Sequence, residues 1–253
     1  MTNRVEPRAL FDAIRRRSPT WVARRLDQVL ILRNRWRFGG LSAKQMFAKV
    51  YEEGGWGRPL GSTHKFYSGS GSHDPAIVDR YVASVVEFLE GLPAKPDVLD
   101  LGCGDFAVGS MIRPACGSYI AGDIVDALID FNRQAFAHLG VDFRVIDMTA
   151  DELPRADVVT IRQVLQHLPN ERILAALPKI AQSCRYLVLT EQLPDSDMFP
   201  HNLDNRPPGL RLDVGSGVVI TSPPFSLGVL EERCLCEVRG SGSVIRTTAY
   251  RLK

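Results

Sequence analysis

The stretch VLDLGCGDFAVG, residues 98–109, places two glycines beside two carboxylates. Gly102 and Gly104 let a ligand approach the backbone closely, and a glycine turn before a helix is typical of phosphate sites. Asp100 and Asp105 argue against a phosphate, because two like unit charges about 4 Å apart repel by about 4 kcal/mol at an effective dielectric of about 20. The turn therefore predicts a ligand that carries positive charge.

A dinucleotide is the alternative ligand for this turn. Gly102, Gly104 and Ala107 match the pattern G-x-G-x-x-G/A, and Asp123 follows where a ribose-binding carboxylate belongs. S-adenosylmethionine fits the charges better, because it carries a sulfonium and an ammonium group and no phosphate. We expect Asp100 to face the ammonium group.

The elements that must position this turn alternate between strand and helix from Pro96 onward. Short apolar runs predict the strands DVLDL, YIAGDI, VDFRVIDM, ADVVTI and RYLVLTEQ. Such alternation is typical of an α/β fold with a doubly wound, mainly parallel sheet. Ligands of these sheets bind beyond the carboxyl ends of the strands, and the glycine turn follows the first of them.

The last part of the chain has a different pattern. SGVVIT, RCLCEV and SVIRTTAYRL predict further strands, and RGSGS predicts a hairpin turn, so we expect antiparallel strands at one edge of the sheet. Before them, Asn170 is predicted to cap a helix that Pro178 kinks or shortens. Residues 193–217 are predicted to be irregular.

Residues 1–75 are predicted to form a basic helical extension and a lid loop, and residues 76–253 to form the ligand-binding domain. Residues 1–40 hold ten arginines against three acidic residues, whereas the whole chain has a net charge of +2. The glycines, serines and aromatics of residues 54–75 are typical of an ordered lid rather than a tether. Asp74 and Pro75 then begin a helix as its N-cap and first residue.

Composition restricts the location and the partners. The five cysteines form neither a zinc motif nor a disulfide framework, which favours a reducing cytoplasm. No run of about 20 apolar residues predicts a membrane span, although the basic N-terminus leaves peripheral contact with an anionic surface open. Nucleic acid is not expected as a partner, because no recognition motif accompanies the arginines. The oligomeric state stays open.

The motif VLDLGCGDFAVG resembles the first motif of the class I S-adenosylmethionine-dependent methyltransferases, a D-x-G-x-G core. The resemblance extends over about residues 96–252 and implies the family's Rossmann-like, seven-stranded sheet with an antiparallel last strand. YEEGGWG, YSGSGS, RQVLQHL and SPPF resemble a bacterial subgroup of the small-molecule or glycan type. The sequence departs from the family pattern at Phe106, which stands where a third glycine is usual.

The resemblance also implies cofactor-binding residues beyond the glycine turn. Asp123, followed by Ile124, would hold the ribose hydroxyls, and Asp147 would bind the adenine amino group with Met148 beside the ring. We add Arg162, at the end of the fourth strand, to the cofactor-binding residues. Its guanidinium also suits an anionic methyl acceptor.

His167 is the candidate catalytic base, because a neutral imidazole takes up a proton near physiological pH. Gln163, His201 and Arg206 are candidate substrate-binding residues, the last two on an irregular stretch of the kind that often carries specificity. No metal site is expected, since the His/Asp pair in that stretch lacks a second carboxylate at ligand spacing.

The sequence therefore predicts methyl transfer from S-adenosylmethionine to a hydroxyl or amine of a small molecule or glycan. An NAD-dependent oxidoreductase of Rossmann type and a non-catalytic cofactor-binding scaffold remain the alternatives. Methylation of nucleic-acid bases is disfavoured, because IRQV follows the fourth strand in place of an Asn/Asp-Pro-Pro-aromatic motif.

Overall fold

The computed structural model describes residues 37–57, 65–196, 198–205, 209–240 and 242–253. Most of the arginine-rich N-terminus lies outside these ranges, so the predicted helix there is not described. Arg206, one of the candidate substrate-binding residues, also lies outside them.

A seven-stranded sheet forms the centre of the molecule, with strand order β3-β2-β1-β4-β5-β7-β6. Strands β1 to β5 run parallel, whereas β7 pairs antiparallel with both β5 and β6. The predicted α/β class and the C-terminal hairpin are confirmed. The strands are β1 Val98–Leu101, β2 Tyr119–Asp123, β3 Asp142–Val145, β4 Val158–Arg162, β5 Tyr186–Pro194, β6 Glu231–Gly240 and β7 Ser243–Arg251.

Helices cover the sheet, and two apolar clusters pack between them and the strands. Asp74 caps the helix that Pro75 begins, as predicted, by accepting a hydrogen bond from the Ala76 N–H. The helices of the described residues are α1 Ala43–Glu52, α2 Pro75–Glu90, α3 Ala107–Ile112, α4 Asp126–Ala135 and α5 Asn170–Ser183.

Two local predictions are wrong. Pro169, not Asn170, is the N-cap of α5. The helix is not shortened at Pro178, since it continues to Ser183, while the kink stays a prediction. SGVVIT is not a strand, apart from an isolated bridge between Gly217 and His201. The reason is that the Asn202 side chain accepts from the Val219 N–H and donates to the Val219 carbonyl, taking the groups that strand pairing would use.

Part of the segment before residue 75 packs onto the sheet domain. Tyr51 and Phe66 form a buried cluster with Val125 and Leu128 at the start of α4. Helix α1 is held by a capping box between Ser42 and Gln45. The described residues of this segment therefore share apolar packing with the ligand-binding domain.

Phe106 occupies the position where the sequence departs from the glycine pattern. Its backbone is left-handed, with φ 59°, a conformation that costs a bulky residue free energy. The ring is fully buried and makes edge contacts with the rings of Tyr119, Phe136 and Phe143. A Cβ at Gly109 would overlap the Phe106 ring. Gly109, which has no side chain, thus leaves the space that the Phe106 ring occupies.

This packing predicts the effect of Gly109→Ala. The added methyl group collides with the Phe106 ring, so we expect the free energy of unfolding to fall by about 1–3 kcal/mol. Chemical denaturation measures the change. Gly228→Ala is the matched control, because a Cβ there meets open space. Equal stability of the two variants would contradict this account of Phe106.

Candidate functional site

The glycine turn links the end of β1 to α3, at the carboxyl edge of the sheet. Gly102 and Gly104 have φ values of 77° and 57°, which glycine adopts without strain. The N–H groups of Gly102 and Cys103 donate to the Gly122 carbonyl at 2.8 and 3.0 Å. A Cβ at Gly102 would overlap Val164, so this turn admits only a bare backbone.

Asp123 ends β2 directly beside this turn. Its side chain is 8% exposed, and its carboxylate accepts from the Val125 N–H at 3.0 Å and the Gly104 N–H at 3.3 Å. Burial raises the pKa of Asp123 to about 6, although the backbone donors oppose the shift. The carboxylate is thus fixed at the turn, where the ribose assignment places it.

Asp100 lies on the neighbouring strand β1 and is equally buried. Its carboxylate accepts from the Thr160 hydroxyl at 3.0 Å and the Tyr119 hydroxyl at 3.1 Å. Burial raises the pKa of Asp100 to about 6, and the charge of Asp123 adds to that rise, while Arg162 opposes it. Two buried carboxylates that repel each other are stabilised by an added positive charge, so this edge of the sheet fits a cationic ligand.

The expected adenine-binding residues lie beyond β3. The Asp147 carboxylate accepts from the Thr149 N–H at 2.9 Å and the Thr149 hydroxyl at 2.6 Å, and Arg172 lies 3.8 Å away. Met148 is buried in the apolar cluster on one side of the sheet. Ile124 is partly buried against the cluster that contains Tyr51. Their contacts with a cofactor stay predictions.

Residues 65–74, here called the covering loop, pack over the glycine turn. The Asp105 carboxylate accepts from the Ser68 N–H at 2.8 Å and lies 2.6 Å from His73 Nε2. The Ser68 hydroxyl in turn accepts from the Asp105 N–H at 2.8 Å, and a Cβ at Gly104 would overlap it. Asp105 therefore binds the loop, and the charge argument for a cationic ligand rests on Asp100 and Asp123.

Arg162, at the end of β4, holds the covering loop from the other side. Its guanidinium donates to the Ser72 hydroxyl at 3.0 Å and to the Gly71 carbonyl, and it stacks 4.8 Å from the Tyr81 ring centroid. Gln163 has a left-handed backbone, and its side-chain oxygen lies against Gly71. The roles of Arg162 and Gln163 in binding cofactor and substrate stay predictions. The contacts of both side chains are with the loop and, for Arg162, also with the Tyr81 ring.

His167 lies in the short 3-10 helix Leu165–His167 that follows β4. Its side chain is buried, and its ring centroid lies 4.6 Å from that of Trp56. His201 is exposed, and its Nδ1 lies 2.9 Å from the Ser222 hydroxyl. The structure thus places His167 next to Trp56, in the segment that precedes the covering loop. His201 instead lies against Ser222 and Phe199.

The structure adds residues that the sequence analysis did not assign. Tyr51 and Trp56 come from YEEGGWG, and the Tyr51 hydroxyl lies 3.3 Å from the Ser68 hydroxyl. Glu191 and Arg211 are buried around the turn that bears His167. The signal for Glu191 was an acidic residue near the end of an apolar strand, whereas Arg211 stood among other polar residues of an irregular stretch.

Two features are absent from the residues that the structure describes. Within them, no three or more His, Cys, Asp or Glu side chains are grouped so that they could hold a metal ion. No helix there has the length and apolar character needed to cross a membrane.

Comparison with known proteins gives one sequence match. Residues 98–186, about a third of the chain, match the family described as "Methyltransferase domain". This region contains the glycine turn, Asp123 and His167. A comparison with curated protein sequences finds no match.

Solved structures share the fold at low sequence identity. The N-methyltransferase NodS from Bradyrhizobium japonicum WM9, bound to S-adenosylhomocysteine, is 13% identical with a TM-score of 0.53, over 70% of this chain and 87% of that one. Magnesium protoporphyrin IX methyltransferase from Synechocystis PCC 6803, bound to S-adenosylmethionine, is 18% identical with a TM-score of 0.55, over 84% and 99%. Human N-acetylserotonin methyltransferase with S-adenosylmethionine is 19% identical with a TM-score of 0.53, over 84% and 60%. The fold is therefore that of class I methyltransferases.

The attachment of the covering loop predicts the effect of Arg162→Lys. A lysine is a point donor and cannot reach both Gly71 and Ser72 as the planar guanidinium does. We expect amide hydrogen exchange in residues 65–74 to accelerate by about tenfold. Arg133→Lys is the control, because Arg133 also donates to a backbone carbonyl, that of Phe143, but has no contact with the loop. Unchanged exchange in the loop would show that Arg162 does not hold it.

Proposed function

We propose that this chain, a methyltransferase by its domain and fold, transfers the methyl group of S-adenosylmethionine to a hydroxyl or amine of a small molecule or glycan. The observation that carries the proposal is the pair of buried carboxylates, Asp100 and Asp123, on either side of a glycine turn. This arrangement favours a cationic nucleoside and disfavours a pyrophosphate.

The residues around the turn would hold the cofactor in a defined way. Asp123 would accept hydrogen bonds from the ribose hydroxyls, and Asp100 would face the ammonium group. Asp147 would bind the adenine amino group with Met148 beside the ring, and Ile124 would contact the cofactor next to Asp123. S-adenosylmethionine supplies an electrophilic methyl group, so the protein contributes mainly alignment and exclusion of water.

His167 would take the proton that the acceptor loses. Its position after β4 places it at the carboxyl edge of the sheet, the edge where ligands of such sheets bind. Contact with the Trp56 ring and burial restrict the imidazole to few orientations. A positioned histidine of this kind contributes about 10²–10⁴-fold to the rate of proton transfer.

The covering loop would exclude water from the reacting groups. Arg162 and Asp105 attach it to β4 and to the glycine turn, two sides of the cofactor site. The glycines of YSGSGS would let the loop open for cofactor entry, and Gly69 has a φ of 90°, which glycine adopts without strain. Loops of this kind isolate a reaction from solvent while it proceeds.

Asp123→Ala tests the assignment of the cofactor. Removal of the carboxylate takes away the acceptor for the ribose hydroxyls, so we expect at least about tenfold weaker binding of S-adenosylhomocysteine in a calorimetric titration. Asp142→Ala, which removes a carboxylate on an exposed part of β3, should bind as the wild type does. Tight binding of NAD to the wild type would instead support the oxidoreductase alternative.

His167→Ala tests the proposed base. We expect turnover with a hydroxyl acceptor to fall by about 10²-fold or more, while the affinity for S-adenosylhomocysteine changes less than about twofold. Transfer of labelled methyl to a panel of small molecules and glycans identifies the acceptor and then measures turnover. His138→Ala, at an exposed histidine, is the control. Wild-type turnover in His167→Ala would reduce this residue to a packing role.

A further inference from the structure

Glu191 and Arg211 are buried charged residues that the proposed mechanism does not use. Their exposed fractions are 3% and 0%. Each buried charge costs several kcal/mol unless other groups compensate for it. Three of the groups that compensate here belong to one short segment, the turn at residues 165–168 that contains His167.

Glu191 holds the beginning of this turn. It lies on β5, and its two carboxylate oxygens accept from the Leu165 N–H at 3.1 Å and from the Gln166 N–H at 2.9 Å. These N–H groups are the first two of the 3-10 helix and have no carbonyl partner within it. One carboxylate therefore fixes the backbone directly before His167.

Arg211 holds the other end of the turn. Its guanidinium donates to the Leu168 carbonyl at 2.6 Å, and Leu168 is the residue directly after His167. A second donor reaches the Leu203 carbonyl in the irregular stretch. The Asn205 side-chain amide, from the same stretch, donates to the Gln166 carbonyl at 2.9 Å.

The two side chains hold opposite ends of the turn. The Glu191 carboxyl group lies at the N–H end of the short helix and the Arg211 guanidinium at its carbonyl end. Burial raises the pKa of Glu191 to about 8, and the two N–H donors and the charge of Arg211 oppose that rise. Arg211 thus favours the charged form of Glu191, and the carboxylates of Asp204 and Glu191 both favour the charged form of Arg211.

We propose that Glu191 and Arg211 are positioning residues that fix the direction of the His167 imidazole. The catalytic consequence rests on the proposed role of His167, whereas the positioning itself does not. If the inference holds, loss of either residue lowers the rate of methyl transfer and leaves the cofactor site, at β1 and β2, intact.

The test compares Glu191→Gln and Arg211→Lys with the wild type. Gln replaces one acceptor oxygen by a donor, and Lys cannot reach both carbonyls as the guanidinium does. We expect amide exchange of Leu165, Gln166 and His167 to accelerate by about tenfold or more, with a changed NMR titration curve of the His167 ring. Binding of S-adenosylhomocysteine should change by less than about twofold.

Thr247→Val is the matched control. It removes the Thr247 hydroxyl on β7, which lies 2.9 Å from the Thr190 hydroxyl on β5. This buried pair lies outside the turn at residues 165–168. We expect this variant to lose a similar free energy of unfolding but to keep the wild-type amide exchange and ring titration at His167. That result would show that the changes in the Glu191 and Arg211 variants come from lost positioning and not from general destabilisation. Glu191→Asp keeps the charge and is measured in parallel.

The outcomes are distinct. Unchanged exchange and ring titration at the turn in a folded variant would overturn the positioning proposal, even if His167→Ala abolishes turnover. A changed turn combined with full activity of His167→Ala would uphold the positioning and refute the proposed base. If none of the three variants at Glu191 and Arg211 folds, both residues are required for the fold itself and the proposal fails.

Discussion

Burial of negative charge at the carboxyl edge of the sheet is the constraint on which the rest of the site depends. Asp100 and Asp123 lie on adjacent parallel strands, and burial raises the pKa of each to about 6. Their oxygens are held by hydroxyl and backbone donors, which orient the carboxylates without neutralising them. A cationic ligand lowers the repulsion that remains between the two carboxylates. Among the ligands that a glycine turn can bind, this charge arrangement therefore favours a cation over a phosphate.

The covering loop depends on charges of the same region. Asp105, one residue after the glycines, is bonded to the loop through Ser68, and Arg162 is bonded to it through Ser72. Asp105 and Arg162 thus bind the covering loop, whereas the hydrogen bonds of Asp100 and Asp123 go to other elements. Tyr51 and Trp56 join this cover from the preceding segment, so aromatic packing and ion-assisted hydrogen bonds close the same side of the site.

The turn that bears His167 is held by hydrogen bonds from buried side chains of other elements. A three-residue helix has too few hydrogen bonds to fix its own direction, and here buried side chains supply the missing partners. Glu191 and Arg211 come from β5 and from the irregular stretch, so three parts of the chain meet at the turn that bears His167. Hydrogen bonds to the Leu168 and Gln166 carbonyls thereby join the irregular stretch to the turn that bears His167.

The sequence by itself determined the strand and helix order, the glycine turn and the acidic ends of the strands. These features depend on local periodicity and on the backbone freedom of glycine, which are readable along a short window. Only the tertiary structure decided what Arg162 and Asp105 bind, that SGVVIT is no strand, and that Glu191 and Arg211 hold the turn that bears His167. Their partners lie far away in the chain, 90 positions for Arg162 and Ser72, and packing of side chains from separate elements chooses them.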